Sequence, residues 1–345
     1  MIAQTIASPT AEQTATPTRR KRVFSGMQPS GNLHLGNYLG ALRNWVTQQE
    51  RSDNIFCVVD LHALSLPTDP MELKANTLEL ATTFLAAGID PSQTILFVQS
   101  DVREHTQAQW LLSSVTQFGE LRRMIQFKDK SDGRDDVSAA LFTYPILQAC
   151  DILLYDTDLV PVGEDQKQHI ELSRDIAHRF NTRYGRTFVL PQADIKPEGA
   201  RVMALDNPAK KMSKSSGTPA GVIYLIDEPD VIRRKVKRAV TDSGSEVRGG
   251  EDKPALNNLM TIYSLLSGQS VPDVENAFKG KGYGAFKGDL AEVIVTALTP
   301  IRERLAVLND NPEEVRRVLT EGADRARAIA GPKLDSVRQR MGLGI

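Results

Sequence analysis

Two short segments, far apart in the chain, combine residue types that receive phosphate. The first, Gly26-Met27-Gln28-Pro29-Ser30-Gly31-Asn32-Leu33-His34-Leu35-Gly36-Asn37, reads as the turn from a strand (23–26) into a helix (about 36–50). His34 and Asn37 stand three apart, so both polar side chains share one face at the positive end of that helix, where phosphate oxygens are stabilised. The second segment, Lys210-Lys211-Met212-Ser213-Lys214-Ser215-Ser216-Gly217, is a loop rich in lysine and serine. Such a loop can wrap a triphosphate and neutralise charge that builds up as pyrophosphate leaves. Either segment alone is weak, since short histidine-glycine strings arise by chance and lysine-serine runs are usually solvated loops.

Gly26 to Gly31 also has the glycine spacing of a P-loop, but Asn32-Leu33 stands where a lysine and a magnesium-binding hydroxyl are required, and that reading fails. No GxGxxG follows a strand, which argues against a dinucleotide dehydrogenase. Two further stretches carry polar groups in apolar surroundings. In Tyr144-Pro145-Ile146-Leu147-Gln148-Ala149-Cys150-Asp151-Ile152-Leu153-Leu154-Tyr155, an aspartate interrupts an apolar helical run. It is either a cap or satisfied core charge, or a ligand for a buried donor, because an unpaired carboxylate is expensive in such a place. Val160-Pro161-Val162 is an apolar strand that breaks at Gly163 into Glu164, Asp165, Gln166, Lys167 and Gln168. That cluster is a capped helix start, or a site for an ammonium group and ribose hydroxyls.

The elements needed to hold these residues are legible as an alternation. Apolar runs predict strands at Val23–Gly26, Ile55–Asp60, Ile95–Gln99 and Leu159–Val162, with helices near 36–50, 71–87 and 104–117 between them. Alternation at this spacing implies a doubly wound parallel α/β sheet, Rossmann-like, with ligands beyond the carboxyl ends of its strands. Gln28, Asp60-Leu61-His62 and Gln99-Ser100 fall at those ends and so border one crevice. From about residue 226 strand signals fade. Leu290, Val293, Ile294, Ala297, Leu298 and Ile301 recur at helical spacing, Pro300 is expected to kink or restart that helix, and further helices are expected after Asn311-Pro312 and Gly331-Pro332. Glycine-rich turns are expected at 244–250 and 279–288. The expected division is therefore a flexible tail (1–20), a catalytic α/β domain (21–225) and a helical C-terminal domain (226–345).

Composition sets bounds on function. The 345 residues are 41% hydrophobic and 25% charged, ordinary for a globular protein, with a net charge of −1. Contact with nucleic acid must then come from local patches rather than a global basic field. Cys57 and Cys150 lie in apolar runs outside any CxxC and read as reduced core residues, which points to the cytoplasm. No apolar run approaches the roughly 18 residues that span a bilayer. Residues 1–20, rich in Thr, Ala, Gln and Pro and followed by Lys21-Arg22, read as a disordered tail, with an organelle transit peptide as the alternative.

Together, His34-Leu35-Gly36-Asn37 and Lys211-Met212-Ser213-Lys214-Ser215 resemble the HIGH and KMSKS signatures of class I aminoacyl-tRNA synthetases. The runs FSGMQPSGNLHLGNYLGAL, VVDLHALS, TYPILQACDILLYDTDLVPVGEDQKQHIELSRDIAHRFN, KKMSKS and AVTDS narrow the resemblance to the bacterial-type tryptophanyl-tRNA synthetases, from Val23 to the C-terminus. The resemblance implies that Asp151 accepts the indole N–H and that Phe24 packs on the indole ring. It implies that Tyr144 and Gln166 hold the α-amino group, that Gln28 lines the carboxylate and α-phosphate side, and that His62 borders the amino acid. Gln148 stands beside the indole where relatives often carry methionine. His34, Asn37, Lys128, Lys130, Lys211 and Lys214 match the catalytic phosphate-binding set. Ser30, Gly36, Met212, Ser213 and Ser215 complete the ATP contacts, with Gly163, Asp165 and Val202 at ribose and adenine. ATP is a substrate, Mg2+ accompanies its phosphates, no dedicated protein metal site is expected, and tRNA(Trp) and a second copy of the chain are the implied partners.

The chemistry agrees with that inventory. Adenylate formation needs no protein nucleophile, because the amino-acid carboxylate attacks the α-phosphorus and pyrophosphate leaves. Alignment and charge stabilisation suffice, with magnesium sharing the second task. A buried carboxylate offered to an N–H is left unpaired by phenylalanine and largely by tyrosine. Such a site rejects analogues by roughly 10⁴-fold or more without an editing domain. Basic residues at 233–235 and 237–238 are either a solvated helix face or a contact for the tRNA acceptor end.

Overall fold

The computed structural model describes residues 19–133, 137–195, 201–214 and 218–344. Its centre is a five-stranded sheet in the order β3-β2-β1-β4-β5, with every pairing parallel. The strands are β1 (Arg22–Met27), β2 (Asp53–Val58), β3 (Thr94–Val98), β4 (Leu159–Val162) and β5 (Gln192–Ile195). β2 and β3 are almost continuously apolar and buried on both faces, as parallel strands covered by helices must be. β5 was not expected; it is a short edge strand whose residues are exposed or half-buried, so it carries no apolar alternation.

Helices follow the strands. After β1 come α1 (Leu35–Asn37), a π-helical stretch Tyr38–Leu42 and α2 (Arg43–Gln48); α3 (Asp60–Ala63) and α4 (Pro70–Ala86) follow β2. After β3 come α5 (Glu104–Ser113), α6 (Phe118–Arg122), α7 (Ile125–Ser131) and α8 (Ala139–Leu153), and α9 (Lys167–Tyr184) lies between β4 and β5. The C-terminal third holds α10 (Pro229–Arg238), α11 (Pro254–Ser267), α12 (Val271–Ala277), α13 (Gly282–Asp310) and α14 (Pro312–Arg340). None of the helices among the described residues is long and apolar enough to cross a membrane.

Two expectations about the C-terminal helices need correction. Neither proline starts a new helix: Pro300 lies inside α13 and Pro332 inside α14. The buried row Ile294, Leu298, Ile301 and Leu305 continues across Pro300, so packing along one face outweighs the backbone hydrogen bond that the proline removes. The expected turn at 279–288 ends at Lys281, since Gly282, Gly284 and Gly288 belong to α13.

One buried apolar cluster draws on both sides of residue 225, joining Leu35, Leu42 and Phe84 to Ile232, Leu259 and Ile294. α14 returns to the edge of the sheet at β3. Arg325 donates to the carbonyl oxygens of Pro91 (2.6 Å) and Thr94 (2.9 Å), and Ala323, Ala326 and Ala330 bury against the same core as Phe97. The approach is close because residue 322 is glycine. A Cβ there would lie 1.8 Å from the Leu96 carbonyl oxygen, a backbone atom that cannot turn aside. Gly322→Ala should therefore cost about 3 kcal/mol of stability, as overpacking of a rigid contact does. Urea denaturation checks this, and a midpoint equal to the parent's would show that α14 does not seal that edge.

At the N-terminal side of the sheet, Arg22 Nε meets Asp53 at 2.7 Å, and its backbone N–H donates to Asp158 Oδ2 at 2.7 Å. Arg19 reaches the same carboxylate at 2.7 Å, so the basic residues that precede β1 pin it beside β2 and β4. Residues 1–18 lie outside the described ones.

Candidate active site

The turn after β1 is built by reciprocal capping. His34, the N-cap of α1, accepts the Asn37 N–H at Nδ1 (3.2 Å), and Asn37 Oδ1 accepts the His34 N–H (3.1 Å). The pair on one helix face thus begins by fixing its own backbone. Gly31 sits at φ 85°, in the left-handed region that glycine alone adopts freely, which lets the turn fold back. Burial, reinforced by Lys214 and Lys211, lowers the His34 pKa to about 4, so the ring is neutral at physiological pH. With Nδ1 occupied as an acceptor, the proton is on Nε2, and the imidazole is a donor for an anion.

The lysine loop is tied to this turn by several links. Leu35 N–H donates to the Ile223 carbonyl (2.8 Å) and Leu225 N–H to that of Leu33 (2.9 Å). Met212 is buried, and its N–H donates to the Val202 carbonyl at 3.0 Å. Asn258 of α11 grips the Met203 backbone on both sides, at 2.8 and 2.9 Å. A Cβ on Gly36 would lie 3.5 Å from Met212 Cβ, so the two signatures touch. Lys214 Nζ donates to the Ser30 carbonyl at 3.0 Å and to that of Gly31. Burial lowers the Lys214 pKa while Glu79 of α4 raises it, and burial likewise raises that of Glu79. The ammonium group therefore rests among carbonyl dipoles and near one carboxylate. Lys211 is exposed beside it, Ser213 is half-buried, and Ser215 lies outside the described residues.

Asp151 is the centre of a second cluster. It is 1% exposed on α8 and accepts three hydrogen bonds: His62 Nε2 at Oδ2 (2.7 Å), and Gln99 Nε2 (2.7 Å) and His105 Nδ1 (2.6 Å) at Oδ1. Burial alone would raise its pKa; the two histidines overcome that and hold the carboxyl well below the usual range, hence anionic. A carboxylate has about four lone-pair positions, so three donors leave one, on Oδ2. Phe24, buried in β1, stacks on Tyr155 at 5.7 Å, in the turn that follows α8.

Tyr144 links this cluster to the next. Its ring lies edge-on to His62 at 6.1 Å, its hydroxyl meets His169 Nε2 at 2.9 Å and Gln126 at 3.3 Å, and Lys130 Nζ stands 5.4 Å from its ring centre. Burial raises the Tyr144 phenol to about 12 and lowers His169 to about 4. Gln148 donates to Gln166 (3.4 Å), which donates to the exposed Asp165 (3.1 Å) beside exposed Gly163. Gln28 and Ser30 are exposed at the mouth of the turn, Val202 is buried under the lysine loop, and Lys128 is exposed on α7.

A family model described as class I tRNA synthetases (W and Y) matches residues 16–299. A tryptophan–tRNA ligase of Caldanaerobacter subterraneus is 56% identical over 324 residues, covering 94% of this chain and 98% of that one. The chain belongs to the bacterial tryptophanyl-tRNA synthetases. Among solved structures, the tryptophanyl-tRNA synthetase of Mycoplasma pneumoniae superposes with a TM-score of 0.84 at 37% identity, covering 94% of this chain and 98% of that one. That of Campylobacter jejuni, complexed with ADP and tryptophan, gives 0.81 at 37% identity over 93% and 100%. As a member of this family, the protein is a tryptophan–tRNA ligase that joins L-tryptophan to its tRNA while ATP is converted to AMP and pyrophosphate.

Four groups in these clusters had no role assigned from sequence: His105, Tyr155, His169 and Glu79. Tyr155 and His169 fall within the quoted runs without a role of their own, and His105 and Glu79 fall outside them. Gln99 was expected at the crevice, and it reaches Asp151. Of the basic residues on α10, Arg233 is paired with Glu292 (2.7 Å) and Asp230 (2.9 Å), and Lys235 with Asp227 (2.6 Å), while Arg234, Lys237 and Arg238 are exposed.

Proposed function

We propose that the chain makes tryptophanyl-adenylate from L-tryptophan and MgATP with the two clusters described above, then passes the acyl group to the 3′ end of tRNA(Trp). The observation that carries this reading is the meeting of His34 and Lys214 on one strand-to-helix turn, together with an anionic Asp151 buried on helix α8. In this reading His34, Asn37, Lys211 and Lys214, with Lys128 and Lys130, take charge from the β- and γ-phosphates as pyrophosphate departs. Gln28, Ser30, Gly36, Met212, Ser213 and Ser215 line the phosphate chain; Gly163, Asp165 and Val202 receive ribose and adenine. Asp151 accepts the indole N–H, Phe24, His62 and Gln148 flank the ring, and Tyr144 and Gln166 face the α-amino group. Magnesium arrives as the counter-ion of ATP, with phosphate oxygens as its ligands.

The helical portion 226–345 is the proposed tRNA-facing part, with Arg234, Lys237 and Arg238 free of ion pairs among the described residues to meet the acceptor end. A homodimer is proposed as well. Trp110 (80% exposed), Phe118 (68%) and Ile125 (60%) stand on successive helices α5, α6 and α7, an apolar display that water does not favour. The expected compartment is the cytoplasm.

Amino-acid-dependent ATP–pyrophosphate exchange across the proteinogenic amino acids tests the activation step. Tryptophan alone should stimulate exchange strongly. Exchange driven by tyrosine and not tryptophan would make this a tyrosyl enzyme. Adenylate formation without charging of any tRNA would point to a nucleotidyltransferase that acts on a small metabolite.

A further inference from the structure

The Asp151 carboxylate is served by a chain of buried groups that extends away from the cleft. His105, 0% exposed on α5, gives Nδ1 to Asp151 Oδ1, and its Nε2 lies 2.7 Å from the hydroxyl of Tyr155, also 0% exposed. His105 is the partner of that hydroxyl among the described residues. Burial raises the Tyr155 pKa, so the phenol keeps its proton and must place it. If His105 Nε2 carried a hydrogen, it would donate to the phenol oxygen and leave the buried Tyr155 O–H without an acceptor among the described residues. The hydrogen count therefore runs one way: Tyr155 O–H donates to Nε2, and Nδ1–H donates to Asp151. The ring is thus held from both ends, with Nδ1–H turned to Asp151 and Nε2 to the phenol.

We infer that Tyr155 and His105 are positioning residues for tryptophan selection: they lock the Asp151 carboxylate so that Oδ1 is saturated and Oδ2 alone is offered to the guest. The inference rests on the proposal that Asp151 receives the indole N–H. Gln99 completes the saturation of Oδ1, and His62 on Oδ2 leaves one lone pair there. A freely turning carboxylate would spread its acceptors over several directions and take an N–H, an O–H or a water with less preference. A locked one makes a single directional demand, which is what discrimination against a guest without the N–H requires. The tyrosine ring also stacks on Phe24, so the group that sets the tautomer supports the aromatic expected against the indole face.

Tyr155→Phe removes the hydroxyl and keeps the ring. Exchange kinetics are measured with L-tryptophan and with β-(3-benzothienyl)alanine, which has the same shape with sulfur in place of N–H. We expect the KM for tryptophan to rise roughly fivefold to tenfold, the magnitude of one lost buried hydrogen bond, with kcat changing far less. The analogue's KM should stay near its wild-type value, so that preference for tryptophan falls by the same factor. Equal losses for both amino acids, or no loss for either, would overturn the inference, because general loosening of the core does not distinguish an N–H from a sulfur. A wild-type enzyme without preference for tryptophan over the analogue would instead sink the role of Asp151. Should the variant fail to fold, 15N spectra of the histidine-labelled wild type decide the matter. An Nδ1–H, Nε2-unprotonated signature for His105 supports the lock, and the opposite tautomer or an imidazolium refutes it.

Discussion

Replacing Lys214 by alanine should lower kcat for ATP–pyrophosphate exchange by roughly 10²- to 10³-fold, the usual loss when one preorganised donor to developing charge is removed. The KM for tryptophan should hardly move. Lys214 reaches Ser30 and Gly31 on the turn after β1, whereas Asp151, Gln99 and His105 are set in the other cluster, and no hydrogen bond joins the two groups among the described residues. Charge on the β- and γ-phosphates grows as the α-phosphorus bond to pyrophosphate breaks, so the lysine's contribution is largest in the transition state and small in the ground state. Arginine at 214 should restore little, because a planar fork does not reproduce the point contact of an ammonium with the adjacent carbonyl oxygens of Ser30 and Gly31. The check is steady-state exchange with ATP and tryptophan varied independently. A wild-type kcat in Lys214→Ala would remove the loop from the chemistry, and a loss confined to the tryptophan KM would assign it to the wrong substrate.

The elements that hold these clusters were legible in the sequence where burial is complete. Residues 55–58 and 95–98 are apolar on both faces, and strands stand there. β5 was not legible because an edge strand of Gln, Ala, Asp and Ile has no apolar face to show. The prolines at 300 and 332 gave the opposite error: punctuation that is strong locally yields to a buried row running past it. The phosphate side of the site was readable because its residues are neighbours in sequence, three apart in one signature and three apart in the other. The carboxylate side was readable only in part. Asp151 betrays itself as a charge among apolar residues, but its donors come from α3, the end of β3 and α5. Nothing in the local pattern around His105 separates it from a surface histidine on a polar helix. α10 shows the same limit for charge, since its basic run says nothing of Asp227 or Glu292, which neutralise Lys235 and Arg233.

Asp151→Ala should produce the other large effect, and it should be of the opposite kind. Tryptophan binding should weaken by roughly 100-fold, since a buried hydrogen bond to an ionised acceptor is lost and the indole N–H goes unmet. The margin over tyrosine and phenylalanine should shrink from roughly 10⁴ towards the factor of about 10² that pocket shape alone supports. The variant carries a separate penalty in stability. His62, Gln99 and His105 would each point a donor at an empty space, and orphaned buried donors cost about 1–3 kcal/mol each. Asp151→Asn separates the two consequences: it fills the space and accepts through one oxygen, but its amide hydrogens oppose one set of donors. It should therefore fold better than the alanine variant while still losing preference for tryptophan. Exchange rates with the three aromatic amino acids, alongside thermal melting of both variants, give the comparison. Discrimination against tyrosine that survives in both would mean that selection is made elsewhere in the cleft, and that this buried carboxylate only holds α3, α5 and α8 together.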